Sequence, residues 1–145
     1  MYFVDRKKIE ELLLYMDTLL AEQKKQTFQT FSDYLGLERV THLCVEIIID
    51  VGNQMIDGFI MRDPGSYEDI IDILTDEKVL PEEELNAYKE IIRLRKMVVQ
   101  HYLKVDHEAI MHSWDRNSES LSHFPDRVRK YLNDELGPVS AFSNE

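Results

Sequence analysis

DRKKIEELLLYMDTLLAEQKK, residues 5–25, sets Ile9, Leu12, Leu13, Met16, Leu19 and Leu20 three and four positions apart. On a helix that spacing gathers all six on one stripe, the mark of an amphipathic segment packed against a core. The stretch predicts a first helix from about Asp5 to Lys25, with Asp5 as its N-cap and Lys7 and Lys8 exposed.

The same period recurs toward the C-terminus. After a polar joint at Gln26 to Gln29, Phe28, Phe31 and Tyr34 mark a short amphipathic turn that ends at Gly36. A long second helix is predicted from Leu37 or Glu38 to about Met61. Asp63-Pro64-Gly65-Ser66 stops it, and Ser66 with Asp69 has the form of a capping box opening a short helix from about Tyr67 to Leu74. Pro81 with Glu82, Glu83 and Glu84 suits a helix start, because proline is tolerated in a first turn and acids complement its positive end. This third long helix carries Leu85, Tyr88, Ile91 and Ile92 and is expected to run through Arg95 to Tyr102. Val105-Asp106 interrupts it. Asp106 caps a last long helix reaching Leu136 and stopping at Gly137-Pro138, with a kink or break expected near His123 and Phe124 because Pro125 follows. No strand alternation or internal repeat competes. The predicted fold is all-α: an antiparallel four-helix bundle, with a short extra helix between long helices two and three, in one domain over residues 1–145.

Composition narrows the function. The chain has 145 residues, 43% hydrophobic and 31% charged, with a formal net charge of -11, in keeping with a soluble globular protein. The apolar run from Leu43 to Ile49 is broken by Glu46 and followed by Asp50, so it is too short and too charged to cross a bilayer. Met1-Tyr2-Phe3-Val4-Asp5-Arg6 lacks the pattern of a signal peptide, which predicts a cytoplasmic protein with no membrane partner. Cys44, the only cysteine, rules out an internal disulfide and any zinc site built from several thiolates of one chain.

Charge is unevenly spread. Asp63, Glu68, Asp69, Asp72, Asp76, Glu77, Glu82, Glu83 and Glu84 face the lone base Lys78. The sign then reverses, with Lys89, Arg93, Arg95, Lys96 and Lys104 against Glu90. The acidic faces argue against non-specific duplex binding over the whole surface, whereas a local phosphate site suits the basic strip. On one continuous helix Arg95 and Tyr102, seven residues apart, would lie about 20° from each other and meet one ligand. Gln100 and His101 would fall on opposite flanks of that face, rotated about 100° apart.

The run Arg95-Lys96-Met97-Val98-Val99-Gln100-His101-Tyr102 resembles the R-x4-H-x-Y signature of HepT-type proteins in the HEPN superfamily, with Gln100 at the position of the family histidine. The second-helix pattern Glu46, Asp50, Gly52, Asn53 and the tail from Gly137 to Phe142 are also similar. The resemblance implies a metal-independent ribonuclease acting as the toxin of a toxin–antitoxin pair, with its arginine and histidine at a homodimer interface. It also implies a nucleotidyltransferase antitoxin that adds AMP to the motif tyrosine, here Tyr102. Arg95 would stabilise phosphate charge, and the proton-transferring position falls to Gln100 or His101. Glutamine exchanges no proton near neutral pH. The sequence therefore predicts weak or absent cleavage with the nucleotide-facing surface retained, so a HEPN dimer that binds RNA, nucleotide or a nucleotidyltransferase without cleaving is the alternative to the enzyme.

His42, Glu46, Asp50 and Asn53 form a second constellation, a polar stripe on an otherwise apolar helix. Such residues can bind metal, but a ferritin-like centre needs paired Glu-x-x-His motifs on other helices, and none occurs. The stripe is expected to face the helix-three site or a dimer partner, with its acids holding Arg95 in place, and no metal or cofactor is expected. His107, His112 and His123 are irregularly spaced and read as surface residues. Trp114 has core or interface spacing.

Overall fold

The computed structural model describes residues 2–138, so Val139 to Phe142 of the tail lie outside the described residues. Five α-helices and one 3-10 turn follow in order: α1 (Arg6–Lys25), α2 (Phe31–Gly58), α3 (Tyr67–Asp76), the turn Glu82–Glu84, α4 (Leu85–Val99) and α5 (His107–Leu136). Among the described residues there is no strand. The four long helices form the predicted bundle, and short α3 packs against α2 and α4. No helix of the described residues is long and apolar enough to cross a membrane.

The caps show why the helices begin where they do. Asp5 accepts from Lys8 N at 3.0 Å, and Asp106 from Ala109 N at 3.0 Å, as expected of both. The start of α2 differs from expectation, because Thr30 and Asp33 close a reciprocal capping box that begins the helix at Phe31. Gly36 does not interrupt it. A mid-helix glycine costs only about 1 kcal/mol relative to alanine, less than the box and the buried residues after it return. Ser66 caps α3 by accepting from Asp69 N, but the Asp69 carboxylate turns to Gly65 N at 2.8 Å and to Arg62, so the expected box is only half made.

Two helix ends also depart from expectation. α2 stops at Gly58 rather than Met61, where the N-terminal segment crosses it: Phe3 N donates to Gly58 O at 3.2 Å, and a Cβ on Gly58 would lie 2.8 Å from Val4. α4 stops at Val99 rather than Tyr102. The Lys96 carbonyl accepts from both Gln100 N and His101 N, and Asp106 N donates to Met97 Sδ at 3.3 Å, which draws residues 100–106 into the reversal toward α5. Of the kink or break expected near Pro125 the break is absent, because α5 runs as one helix through it. Phe124 and Pro125 are buried, and Tyr88 of α4 packs edge-on against Phe124 with ring centres 5.6 Å apart, so packing against α4 holds the helix across its missing amide.

Trp114, Tyr88 and Phe124 are among the largest fully buried side chains. The Trp114 indole donates to Thr41 Oγ1 at 2.8 Å, joining α5 to α2 with its polar atom satisfied. Cys44 is buried as well, and burial pushes its thiol up to about 12, so it is a small core residue rather than a nucleophile.

Glycine positions make the α2–α3 contact testable. A Cβ on Gly52 would sit 2.3 Å from Ile70 Cγ2, so Gly52→Ala should cost about 1–3 kcal/mol in urea unfolding. Gly36→Ala, whose nearest new neighbour at 3.0 Å is the flexible end of Gln26, should instead be neutral or stabilise by up to about 1 kcal/mol.

Candidate active site at the end of helix α4

Three helices meet at Arg95, in the penultimate turn of α4. Its Nε donates to Glu46 Oε1 on α2 at 2.6 Å, and its guanidinium carbon lies 4.8 Å from the ring centre of Tyr67, the first residue of α3. The hydrogen bond that Arg95 donates to Glu46 is the main cause that raises the guanidinium above the usual arginine range. Glu46 sits in a helix otherwise rich in Val and Ile and is itself approached by His42 Nε2 at 3.6 Å. The Nη1 and Nη2 groups of Arg95 make no hydrogen bond among the described residues, so an oriented pair of donors remains for a ligand.

These donors open on a cleft of about 490 Å³ lined by Tyr67, Arg93, Arg95, Lys96 and Gln100, among others. Arg93 is shared with Glu68, Nη2 to Oε1 at 2.8 Å, while Lys96 makes no ion pair among the described residues. Gln100 is the C-cap of α4 and reaches the cleft from its end. His101, Tyr102, Leu103 and Lys104 follow in the turn, all exposed, with Tyr102 at 65% and Leu103 at 91%. The shared helical face expected for Arg95 and Tyr102 therefore does not exist, and the rotation expected between Gln100 and His101 does not apply either, because α4 has ended.

The polar stripe of α2 is divided. Glu46 pairs with Arg95 and is approached by His42, whereas Asp50 and Asn53 are exposed and line a groove with Lys8, Leu12, Gln54 and Asp57, Asn53 also bordering a hollow beside Ser66 and Tyr67. No group of three or more His, Cys, Asp or Glu side chains among the described residues could hold a metal ion. Two of the histidines read as surface residues have acidic partners. His107 Nε2 lies 2.7 Å from Glu38 Oε2, and His123 Nδ1 lies 2.8 Å from Glu84 Oε2. Nothing in the sequence distinguishes Tyr67, a tyrosine at a helix start, from a surface aromatic.

Residues 7–128 match the family described as Ribonuclease HepT-like. The chain belongs to the HepT-like family. It is 51% identical over 143 residues to "Putative RNase YutE" of Bacillus subtilis (strain 168), covering 98% of this chain and 99% of that protein. The solved structure of YutE, described there as a cytosolic protein of unknown function, superposes with a TM-score of 0.93 over 98% of this chain and 100% of the other. A tri-AMPylated Shewanella oneidensis HEPN toxin in complex with its MNT antitoxin gives a TM-score of 0.70 at 17% identity, covering 85% of this chain and 95% of that one. A toxin–antitoxin crystal structure with AMP-PNP gives 0.69 at 16% identity, covering 84% and 94%. At such identities the last two show the HEPN toxin fold alone.

The Arg95–Glu46 pair is mostly shielded from water. A double-mutant cycle of Glu46→Ala and Arg95→Ala in urea unfolding should give a coupling of about 1 kcal/mol. A coupling indistinguishable from zero would mean that the ion pair does not hold the arginine.

Proposed function

We propose that the chain is a metal-independent endoribonuclease, the toxin of a toxin–antitoxin pair, working as a homodimer of single HepT-like domains spanning residues 1–145. The observation that carries this reading is the end of α4 at Val99. It leaves Arg95 with two uncommitted donors on a cleft, and it frees His101 and Tyr102, just past the cap, from the geometry of a continuing helix. In the reaction, a ribose 2′-hydroxyl attacks the adjacent phosphorus while His101 takes its proton. The bond from phosphorus to the 5′-oxygen breaks, that oxygen takes up a proton, and a 2′,3′-cyclic phosphate remains. Arg95 stabilises the charge that builds on the phosphate oxygens. Two sites brought together across a two-fold axis would also cover Leu103, a large apolar side chain otherwise left 91% in water. As with cytosolic YutE, a cytoplasmic location is part of the proposal.

One observation favours the second reading, a HEPN dimer that binds RNA, nucleotide or a nucleotidyltransferase without cleaving. Gln100, rather than His101, lines the cleft beside Arg95. Cleavage of single-stranded RNA in a chelator-containing buffer separates the two. His101→Ala should lower the rate by about 10²–10⁴-fold and Arg95→Ala by at least as much, with Gln100→Ala close to wild type, and the same preparation should sediment as a dimer. Weak wild-type cleavage that Gln100→His raises and His101→Ala leaves alone would select the binder.

The partner in this reading is a nucleotidyltransferase antitoxin that joins the Tyr102 phenolic oxygen to the α-phosphorus of ATP and releases pyrophosphate. Tyr102 is 65% exposed, which leaves its hydroxyl open to a second protein. After co-expression with such an enzyme, mass spectrometry should find the AMP adduct on Tyr102 and none on Tyr102→Phe. Full modification of Tyr102→Phe would overturn this assignment.

A further inference from the structure

Tyr67 stands between two hollows of different character. Ser66 and Tyr67 line both the cationic cleft of Arg95 and a neighbouring hollow of about 400 Å³, whose other walls are Asn53, Pro64, Gly65 and Ile70. The first offers guanidinium donors of Arg95 and the ammonium of Lys96, both without a partner among the described residues, tempered by the acids Glu46 and Glu68. Among the described residues no charged side chain lines the second. Its polar side chains are Ser66, whose hydroxyl caps α3, and Asn53, whose amide supplies donor and acceptor together and makes no hydrogen bond among the described residues. The Tyr67 ring is 47% exposed, so the core does not use it fully.

A positive cleft beside an uncharged, aromatic-walled hollow has the chemistry of a nucleotide, with phosphate on the cations and base against the ring. We infer that Tyr67 and Asn53 form a nucleobase subsite: Tyr67 stacks the base next to the phosphate held by Arg95, and the Asn53 amide reads its edge. The inference rests on the ribonuclease reading and narrows it. A base lying on Tyr67 has left any helical stack, so the substrate is single-stranded RNA, and the base in the hollow contributes to the choice of cleavage position. Tyr67 is on this account a positioning residue that also steadies the Arg95 guanidinium from the other side.

The test reads binding apart from cleavage. The probes are a fluorescein-labelled 2′-O-methyl oligouridylate, which 2′-hydroxyl attack cannot cleave, and an abasic strand of equal length and charge, each titrated by fluorescence anisotropy. Wild type should prefer the strand with bases by roughly 5- to 150-fold, the range set by stacking one base on an aromatic ring. Tyr67→Ala should weaken the strand with bases by clearly more than the abasic strand, Tyr67→Phe should keep the preference, and Asn53→Ala should reduce it. Equal weakening on both strands in Tyr67→Ala would mean that the ring only supports Arg95 and would overturn the subsite, as would a wild type with no preference. A base preference without RNA cleavage would sink the ribonuclease reading and leave the subsite standing, whereas cleavage without base preference would do the reverse.

Discussion

Helix α2 is too apolar to lie on a surface, and the rest of the molecule is arranged to cover it. Val40, Cys44, Val45, Ile47, Ile48, Ile49, Val51, Met55 and Ile56 are all buried and point in more than one direction round its axis. No single neighbour can cover so wide a face. α1, α3, α4 and α5 all pack against it. Burial of this kind is the dominant favourable term in folding, and it makes any polar residue on the helix expensive unless it is paired. Glu46 is that residue, and its partner Arg95 is thereby placed and oriented by the core rather than by a loop.

α4 is held near both ends by carboxylates. At its start Glu84 is 5% exposed and accepts from Tyr88 OH at 2.8 Å and Arg127 Nη2 at 2.9 Å, with His123 Nδ1 beside it. Burial alone would raise this carboxyl, but the donors from Arg127, His123 and Tyr88 together outweigh it and leave Glu84 below its ordinary value. The same burial and the neighbouring Glu84 push the Tyr88 phenol up, so it stays a donor. Near the other end stands the Glu46–Arg95 pair. A helix pinned at both ends can end in a sharp turn without moving, and the turn of residues 100–106 is where the candidate chemistry lies.

Most of the arginine charge elsewhere is spent on acids. Arg62 pairs with Asp69, Arg93 with Glu68, Arg116 with Glu90, Arg127 with Glu84, and Arg129 with Glu10, Asp17 and Asp126. On a chain of net charge -11, an anion therefore meets few arginines whose charge is still available. The cleft beside Arg95 is one, because Nε takes the acid and the terminal nitrogens do not. Arginine suits this division, since one planar group can bind a protein carboxylate and a ligand at once.

The periodicity of apolar residues was enough to determine the bundle, the order of its helices and the caps at Asp5, Ser66 and Asp106, because these depend on residues within a turn or two of each other. The run from Arg95 to Tyr102 shows its residue types in the sequence. It does not show their arrangement. Where α4 ends depends on the Lys96 carbonyl taking two amides and on Met97 meeting Asp106 N, and the passage of α5 through Pro125 depends on Tyr88 and the burial of Phe124. The Thr30–Asp33 box was local and readable, but Gly36 concealed it. Glu46 was visible as one member of a stripe, yet only packing could separate it from Asp50 and Asn53, and only packing could bring Tyr67 beneath Arg95. Local spacing determines which residues share a helix face. Which face meets which is decided by long-range burial, and the site is made of such meetings.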